Sequence, residues 1–204
     1  IDHLKALITV CEKNNHPNTF IHAFTDGRDV DPKSGSGFIA DLLKFIEKGK
    51  TRLASVTGRY YAMDRDQRWD RVERAYRLLT EGDGEHRFDS AVAGLEAAYE
   101  RGENDEFVAP TVITDSGGSA PRIEDGDCVL FMNFRADRSR QLSYALLDPD
   151  FSGFTRRVRP GQVLRRGRRG RRNGPFGLWF AGPIRHASPG LKTAHLPVGQ
   201  GLVR

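Results

Sequence analysis

Three short stretches of the chain combine arginine with aspartate in a pattern that suits anion binding. Each stretch follows an apolar run, and the charged residues concerned are Arg28 and Asp29, Arg59 and Arg65, and Arg135 and Arg138. A guanidinium fork matches a phosphate or carboxylate better than an ammonium group does. Five arginines around one small site repel one another unless carboxylates or a bound anion offset their charge. The pattern favours a ligand that carries both a phosphate and a carboxylate.

The single acid of this set allows two interpretations. A carboxylate among guanidinium groups is either their structural counter-ion or a base that acts on a substrate hydroxyl. Because structural ion pairs outnumber catalytic bases, the residue types alone favour the counter-ion role for Asp29.

The segment around the second cluster is dense in arginine and aspartate, and a purely structural interpretation covers part of it. Asp66 would cap a helix whose exposed face carries i,i+4 ion pairs, such as Asp70 with Arg74. That interpretation leaves Arg59 and Arg65 unexplained. Both are predicted to lie in a strand-to-helix loop, where α/β folds place their ligands.

The elements that must position these clusters follow from hydrophobic periodicity. Strands are predicted at 19–24, 53–57 and 128–134, and helices at 2–13, from Ser36 to Gly49, from Trp69 to Gly82, at 90–101 and around Leu142. This alternation predicts an α/β fold with a mostly parallel sheet and helices on both faces. The third strand is the most apolar run and is predicted to be central and covered on both faces. Loops at the carboxyl ends of parallel strands would bring the three clusters to one crevice.

Charge divides the chain into two unequal parts near Thr155. Twelve of the 32 Lys and Arg residues lie from Arg156 onward, where there is no Asp or Glu. The first part therefore has 20 basic and 27 acidic residues, a net charge of −7, and the tail is +12. We predict a domain at 1–155 and an Arg-rich tail at 156–204 that is disordered or translated out of frame.

The remaining composition excludes several classes of protein. Two cysteines are too few for a disulfide framework and indicate a reducing compartment. No apolar run approaches the roughly 20 residues that span a bilayer, so no membrane association is expected. The chain opens at Ile1 without a Met, which suggests a fragment. It shows no secretory signal, so a cytoplasmic location is the default expectation, and we also expect a monomer.

Four motifs give the chain a specific resemblance. They are His22–Asp29 (HAFTDGRD), Gly58–Arg71 (GRYYAMDRDQRWDR), Gly102–Phe107 (GENDEF) and Asn133–Arg138 (NFRADR). In order and approximate spacing they resemble the cofactor-independent phosphoglycerate mutases, which are glycolytic isomerases. The resemblance covers about residues 1–155 and implies the phosphotransferase domain, which that family inserts in an alkaline-phosphatase-like domain.

The resemblance also implies roles for the site residues. Five arginines would hold 2- or 3-phosphoglycerate, with Arg135 nearest the phosphoryl group, and the set is Arg28, Arg59, Arg65, Arg135 and Arg138. Asp29 would move the proton of the glycerate hydroxyl as the phosphoryl group changes oxygens, which reverses the counter-ion interpretation on family grounds. The family's serine nucleophile, two manganese ions and a further lysine belong to its other domain. The isolated chain is therefore expected to be inactive.

Two alternatives remain open from the sequence. The run from Arg165 to Arg172 suits a phosphate backbone, so the tail could bind nucleic acid, although an unselected polycation is favoured. The first part could also be a non-catalytic module that binds a phosphorylated metabolite.

Overall fold

The computed structural model describes residues 1–16, 18–124, 127–133 and 135–157, and the backbone of 177–183. In chain order the elements are α1 (Asp2–Lys13), β1 (Asn18–Thr25), α2 (Gly35–Ile46), β2 (Thr51–Gly58), α3 (Arg59–Ala62), α4 (Trp69–Glu81), β3 (His86–Phe88), α5 (Ala91–Glu100), β4 (Thr111–Ile113), β5 (Cys128–Phe131), a 3₁₀ turn (Ala136–Arg138), α6 (Arg140–Leu147) and β6 (Gly177–Pro183).

The described strands form one six-stranded sheet in the order β3-β4-β2-β1-β6-β5. All neighbouring pairs are parallel except β2 with β4, which is antiparallel. The prediction of an α/β fold with a mostly parallel sheet is thus confirmed. The register of β1 against β2 shifts between Ile21 and His22, so that Ile21 faces Leu53 and His22 faces Ser55.

Helices cover both faces of the sheet, as the alternation of elements predicts. On one face α1, α2 and α5 pack against β1 through apolar residues that include Ile8, Ile39, Leu42, Leu95 and Ile21. On the other face α4 and α6 pack against Phe20 and Phe24 through residues that include Tyr76, Leu79, Leu142 and Leu146. Alternate residues of β1 thus serve opposite cores, as the period of two in a strand requires.

The helix ends confirm some predicted caps and correct others. Ser90 caps α5 by accepting a hydrogen bond from the Ala93 N–H, and α4 ends at Gly82 with a left-handed φ of 64°. However, Ser34 rather than Ser36 precedes α2, and Asp66 caps no helix because α4 begins only after Arg68.

The predicted pairing of Asp70 with Arg74 is also wrong. The guanidinium of Arg74 lies instead 2.7 Å from the carboxylate of Glu85, and it stacks 4.2 Å from the ring centroid of Tyr61. Arg74 therefore pairs with Glu85, which lies beyond the helix, rather than with Asp70 one turn away. Residue spacing within the helix could not indicate this partner.

The third predicted strand differs most from expectation. Cys128–Phe131 is four residues long, lies at the edge of the sheet and is only partly buried, with Leu130 exposed. Apolar composition alone therefore misled the prediction of a central strand. It is also not adjacent to β1, because the backbone of Gly177–Pro183 lies between them. That strand belongs to the predicted disordered tail, whose other residues from 158 onward lie outside the described part of the chain.

None of the helices in the described ranges combines the length and apolarity that crossing a membrane requires.

Candidate anion-binding site

A buried ion pair joins the ends of the two longest parallel strands. Asp26 follows β1, and its Oδ1 accepts a hydrogen bond from Nη1 of Arg59, the first residue after β2. Both side chains are almost fully buried, at 2% and 5% exposure. The same Nη1 donates to Oδ2 of Asp29 at 3.2 Å, and Asp29 is half exposed. Arg59 therefore connects a buried carboxylate to one that a ligand can reach.

The electrostatics of Arg59 follow from these two acids. Burial acts to lower the pKa of the guanidinium, but the hydrogen bonds and negative charges of Asp26 and then Asp29 raise its pKa above the ordinary value. Arg59 is therefore a fixed positive charge at the carboxyl end of the sheet.

A segment that follows α5 forms the wall behind this pair. The carbonyl of Glu106 accepts a hydrogen bond from the Tyr60 N–H, and the carbonyl of Val108 accepts one from the Gly58 N–H at 2.8 Å. The Thr25 hydroxyl donates to the carbonyl of Asp105 at 2.6 Å. The segment packs so closely that a Cβ on Gly27, which has φ 64°, would lie 2.5 Å from the Glu106 nitrogen. Glycine is required here for both its backbone angle and its small size.

The second cluster continues into a loop that a buried acid organises. Oδ1 of Asp64 accepts hydrogen bonds from the backbone N–H groups of Asp66 and Arg68, at 2.9 and 3.1 Å. This loop presents Arg65, which is half exposed and donates to Oδ2 of Asp137 at 3.1 Å. A side-chain contact therefore joins the second loop to the third.

A further contact between these loops involves Arg138. Its Nη1 donates to the carbonyl of Met63 at 3.0 Å, while its buried Nε has no hydrogen-bond partner among the described residues. Burial lowers the pKa of Arg138, and the positive charges of Arg59 and Arg65 lower it further. An arginine stays protonated in spite of such a shift, so Arg138 holds a charge that its surroundings disfavour and that an anion would stabilise.

The remaining two predicted residues lie at the margin of this cluster. Arg28 is 57% exposed, and its Nε lies 3.5 Å from the carboxylate of Glu106. Arg135 is exposed and precedes the 3₁₀ turn, where its charge acts on both Asp137 and Arg138. The structure thus brings the three loops to the same end of the sheet and connects them through contacts and electrostatic interactions.

Several residues of this arrangement were missed by sequence reasoning. Asp26 was assigned no role of its own, although its position directly after a buried strand could have indicated a buried counter-ion. Glu106 entered only through a motif resemblance. The role of the Met63 carbonyl as an acceptor could not be predicted from the sequence, because backbone acceptors do not depend on residue type.

No metal site occurs in the described ranges. No group of three or more His, Cys, Asp or Glu side chains there could hold a metal ion. The donor set of the described residues does not fit manganese.

Comparison with known proteins identifies the family. A family model described as the N-terminus of BPG-independent PGAM (iPGM_N) matches residues 1–165. The chain belongs to the iPGM_N family. The resemblance to phosphoglycerate mutases is confirmed at this level, whereas the match does not test the narrower label of phosphotransferase domain.

Full-length relatives of this iPGM_N chain are named 2,3-bisphosphoglycerate-independent phosphoglycerate mutase. The protein from Enterobacter sp. (strain 638) is 52% identical over 157 residues, and that from Shewanella amazonensis (strain ATCC BAA-1098 / SB2B) is 50% identical over 160 residues. These alignments cover 76% and 78% of the chain but only 30% and 31% of the relatives. The chain therefore spans less than a third of the length of these relatives.

A solved structure agrees with the iPGM_N assignment. The chain is similar to Leishmania mexicana phosphoglycerate mutase, whose crystal structures were determined at low cobalt concentration, with a TM-score of 0.74 and 30% identity. The superposition covers 89% of this chain and 32% of the Leishmania protein.

Proposed function

We propose that this chain is the phosphoglycerate-binding part of a 2,3-bisphosphoglycerate-independent phosphoglycerate mutase. The observation that carries the proposal is the field around Arg138, a half-buried guanidinium in the positive fields of Arg59, Arg65 and Arg135. Those charges come from the segments that follow β2 and β5. Asp137 offsets part of this positive charge, and an anion would stabilise it further. A phosphate with three acceptor oxygens is well suited to several forks.

The site has two differently equipped sides, which suits a ligand with two acidic groups. Arg65, Arg135 and Arg138 form the side nearer the third loop, and Arg28 extends from the turn after β1. Phosphoglycerate carries a phosphate and a carboxylate separated by a short polar chain. We assign the phosphate to the side of Arg135 and the carboxylate to the remaining forks.

Asp29 is the group proposed to act on the substrate hydroxyl. Its carboxylate is half exposed, and Arg59 orients it from the buried side at 3.2 Å. A carboxylate held in this way accepts the proton from a glycerate hydroxyl as that oxygen takes up the phosphoryl group, and returns a proton to the oxygen that loses it. The interconversion of 3- and 2-phosphoglycerate requires both steps.

Phosphoryl transfer itself needs a nucleophile that these loops do not supply. Such a step requires a serine or similar group activated by a base or a metal. We place that group, and the two manganese ions that the family resemblance implies, outside the described part of this chain. The proposed setting is the cytoplasm, with a monomeric protein.

The test combines calorimetric titration with a coupled mutase assay on the full chain. We expect 3-phosphoglycerate to bind more tightly than inorganic phosphate or glycerate, because only the first ligand occupies both sides of the site. We expect no turnover, with or without added manganese. Equal affinity for the three ligands would refute the two-sided site, and robust manganese-dependent turnover would refute the proposed division of chemistry.

The alternative of nucleic-acid binding rests on the arginine run from Arg165 to Arg172, which lies outside the described residues. Its specific test is titration with a labelled oligonucleotide. A steep salt dependence that disappears when the six arginines of this run are replaced by serine, with the rest of the chain retained, would favour it.

A further inference from the structure

One buried carboxylate bonds to two backbone groups of the first loop and to the arginine at the base of the second. Oδ1 of Asp26 accepts the hydrogen bond from Arg59 and lies 3.3 Å from each of the backbone nitrogens of Arg28 and Asp29. The side chain is 2% exposed, and as a carboxylate it is not suited to contact an anionic ligand directly. The three contacts just described are with groups that the proposed function uses.

The turn after β1 shows why such a carboxylate is needed there. Gly27 adopts a left-handed φ of 64°, which reverses the chain and points the N–H groups of Arg28 and Asp29 inward, toward the strand end. A carboxylate that accepts two such N–H groups fixes the turn. The conformation of this turn sets the backbone positions from which the side chains of Arg28 and Asp29 extend.

The same oxygen also fixes Arg59. Because Nη1 of Arg59 bonds to both Asp26 and Asp29, the position of the guanidinium is set from the buried side before any ligand arrives. A flexible arginine would lose conformational freedom on binding, whereas a preset one does not. The side chain of Asp26 thus fixes the guanidinium of Arg59 and, through it, the carboxylate of Asp29. It also fixes the turn that carries Arg28.

We propose that Asp26 is a positioning residue for phosphoglycerate binding, acting through Arg59 and the Gly27–Asp29 turn without contacting the ligand. This inference rests on the proposed function. It goes beyond it because Asp26 is assigned no direct contact and its negative charge would, taken alone, oppose an anion nearby.

The substitution Asp26→Asn separates the two actions of the carboxylate. The amide oxygen of asparagine can still accept the two turn N–H groups, whereas the charged bond to Arg59 is lost. We expect this variant to keep its fold and to bind 3-phosphoglycerate about tenfold or more weakly, because misplacement of a fork by even about 1 Å is costly. Affinity equal to that of the wild type, or higher because a negative charge has gone, would overturn the proposal.

The chain offers a closely matched control in Asp115. Its Oδ1 accepts the N–H groups of Gly117 and Ser119 at 3.0 and 2.8 Å, and its other oxygen lies 3.6 Å from Arg52. This is the same combination of two turn N–H groups and one arginine, and it lies near the start of β2 rather than its end. Asp115→Asn should leave 3-phosphoglycerate affinity within twofold of the wild type. A similar loss of affinity in both variants would show that Asp26 contributes only to the general stability of the fold.

A second readout needs no ligand and therefore distinguishes this inference from the proposed function. Arginine-specific modification with phenylglyoxal, read by mass spectrometry, should leave Arg59 protected in the wild type and in Asp115→Asn but modified several-fold faster in Asp26→Asn. If the wild type binds no phosphoglycerate, the proposed function fails and this modification rate alone decides whether Asp26 presets Arg59. Equal rates in all three proteins would overturn the inference.

Asp26→Glu serves if the asparagine variant does not fold. The longer side chain keeps the charge but moves the oxygen by one methylene, so the ion pair with Arg59 and the two turn bonds cannot all be kept. A positioning role predicts weaker 3-phosphoglycerate binding in this variant. Unchanged binding would show that only the charge of Asp26 matters, which contradicts the proposal.

Discussion

Nη1 of Arg138 donates a hydrogen bond to the backbone carbonyl of Met63 at 3.0 Å, which ties the loop after β5 to the loop after α3. Because this bond uses one specific corner of the guanidinium, the role of Arg138 depends on its shape as well as its charge.

Arg138→Lys is expected to weaken 3-phosphoglycerate binding by about 1–3 kcal/mol. Lysine keeps the positive charge, but it cannot bond to the Met63 carbonyl and present a planar fork to an anion at the same time. Calorimetric titration measures the change. Arg77→Lys is the matched control, since Arg77 pairs with Glu73 within α4, and it should bind like the wild type. An unchanged affinity for Arg138→Lys would mean that charge alone suffices at this position.

Asp137→Asn is expected to strengthen phosphoglycerate binding, roughly two- to fivefold at low salt. The hydrogen bond from Arg65 is the main reason why the pKa of Asp137 lies below its ordinary value, so this carboxylate is charged at neutral pH beside the arginine cluster. The gain should shrink in about 0.5 M salt, where exposed charges are screened.

The control for this substitution is Asp83→Asn. Asp83 is exposed beyond Gly82, at the far end of the 13-residue helix α4. It should change affinity little at either salt concentration. Weaker binding by Asp137→Asn at both concentrations would show that Asp137 orients Arg65 more than it repels the ligand.

Gly58→Ala is expected to lower the free energy of unfolding by about 2–4 kcal/mol. A Cβ at Gly58 would overlap the carbonyl oxygen of Glu106 and lie 2.8 Å from the Val108 nitrogen, and backbone atoms cannot move aside as a flexible side chain can. Gly37→Ala is the control, because Gly37 lies in α2 with nothing within 4 Å of the added atom. It should stabilise by about 0.5–1 kcal/mol. Urea denaturation compares the two, and equal effects would contradict the close approach at Gly58.

His22 should make the folded wild type less stable as the pH is lowered. This residue is fully buried in β1, and burial lowers its pKa to about 3 from 6.5. Between these values the unfolded chain binds a proton that the folded chain does not, so acidification favours unfolding. The contribution is about 1–2 kcal/mol between pH 6.5 and 5.

His22→Gln should remove this part of the pH dependence. Glutamine cannot take up a proton and can still bond to Ser55, whose Oγ lies 2.6 Å from Nδ1 of His22. The free energy of unfolding, measured in urea at several pH values, should decline less steeply in this variant than in the wild type. His3→Gln, at an exposed position, should follow the wild type. Parallel curves for all three proteins would exclude His22 as the source.

Prediction from the sequence succeeded in segments where a single hydrophobic period dominates. The helices and the first two strands follow from apolar spacing, and the three charged clusters follow from the strand ends. β3 and β4 were missed because three residues are too few to show a period, and the antiparallel pairing of β4 with β2 involves only Ser55–Val112 and Val56–Thr111. β5 was misplaced because its apolar composition was equated with burial.

The candidate site was predictable in its arginines but not in what holds them. Residue type indicates a guanidinium that needs a partner, but it does not say which acid is buried. The burial of Arg59 and Asp26 arises only when two strands lie side by side, and the close fit of Gly58 depends on a segment about fifty residues further along. Such contacts are properties of the tertiary structure rather than of any local pattern.

The wall of the site also sets when the site can appear during folding. Thr25 bonds to Asp105 across 80 residues of chain, and Arg138 bonds to Met63 across 75. Contacts of such long sequence separation require large loops to close and therefore form slowly. A nascent chain that has emerged only as far as α5 has both ends of the Asp26–Arg59 pair but neither the wall nor the third loop. In a refolding experiment, the ability to capture phosphoglycerate should therefore appear later than the helical circular dichroism signal.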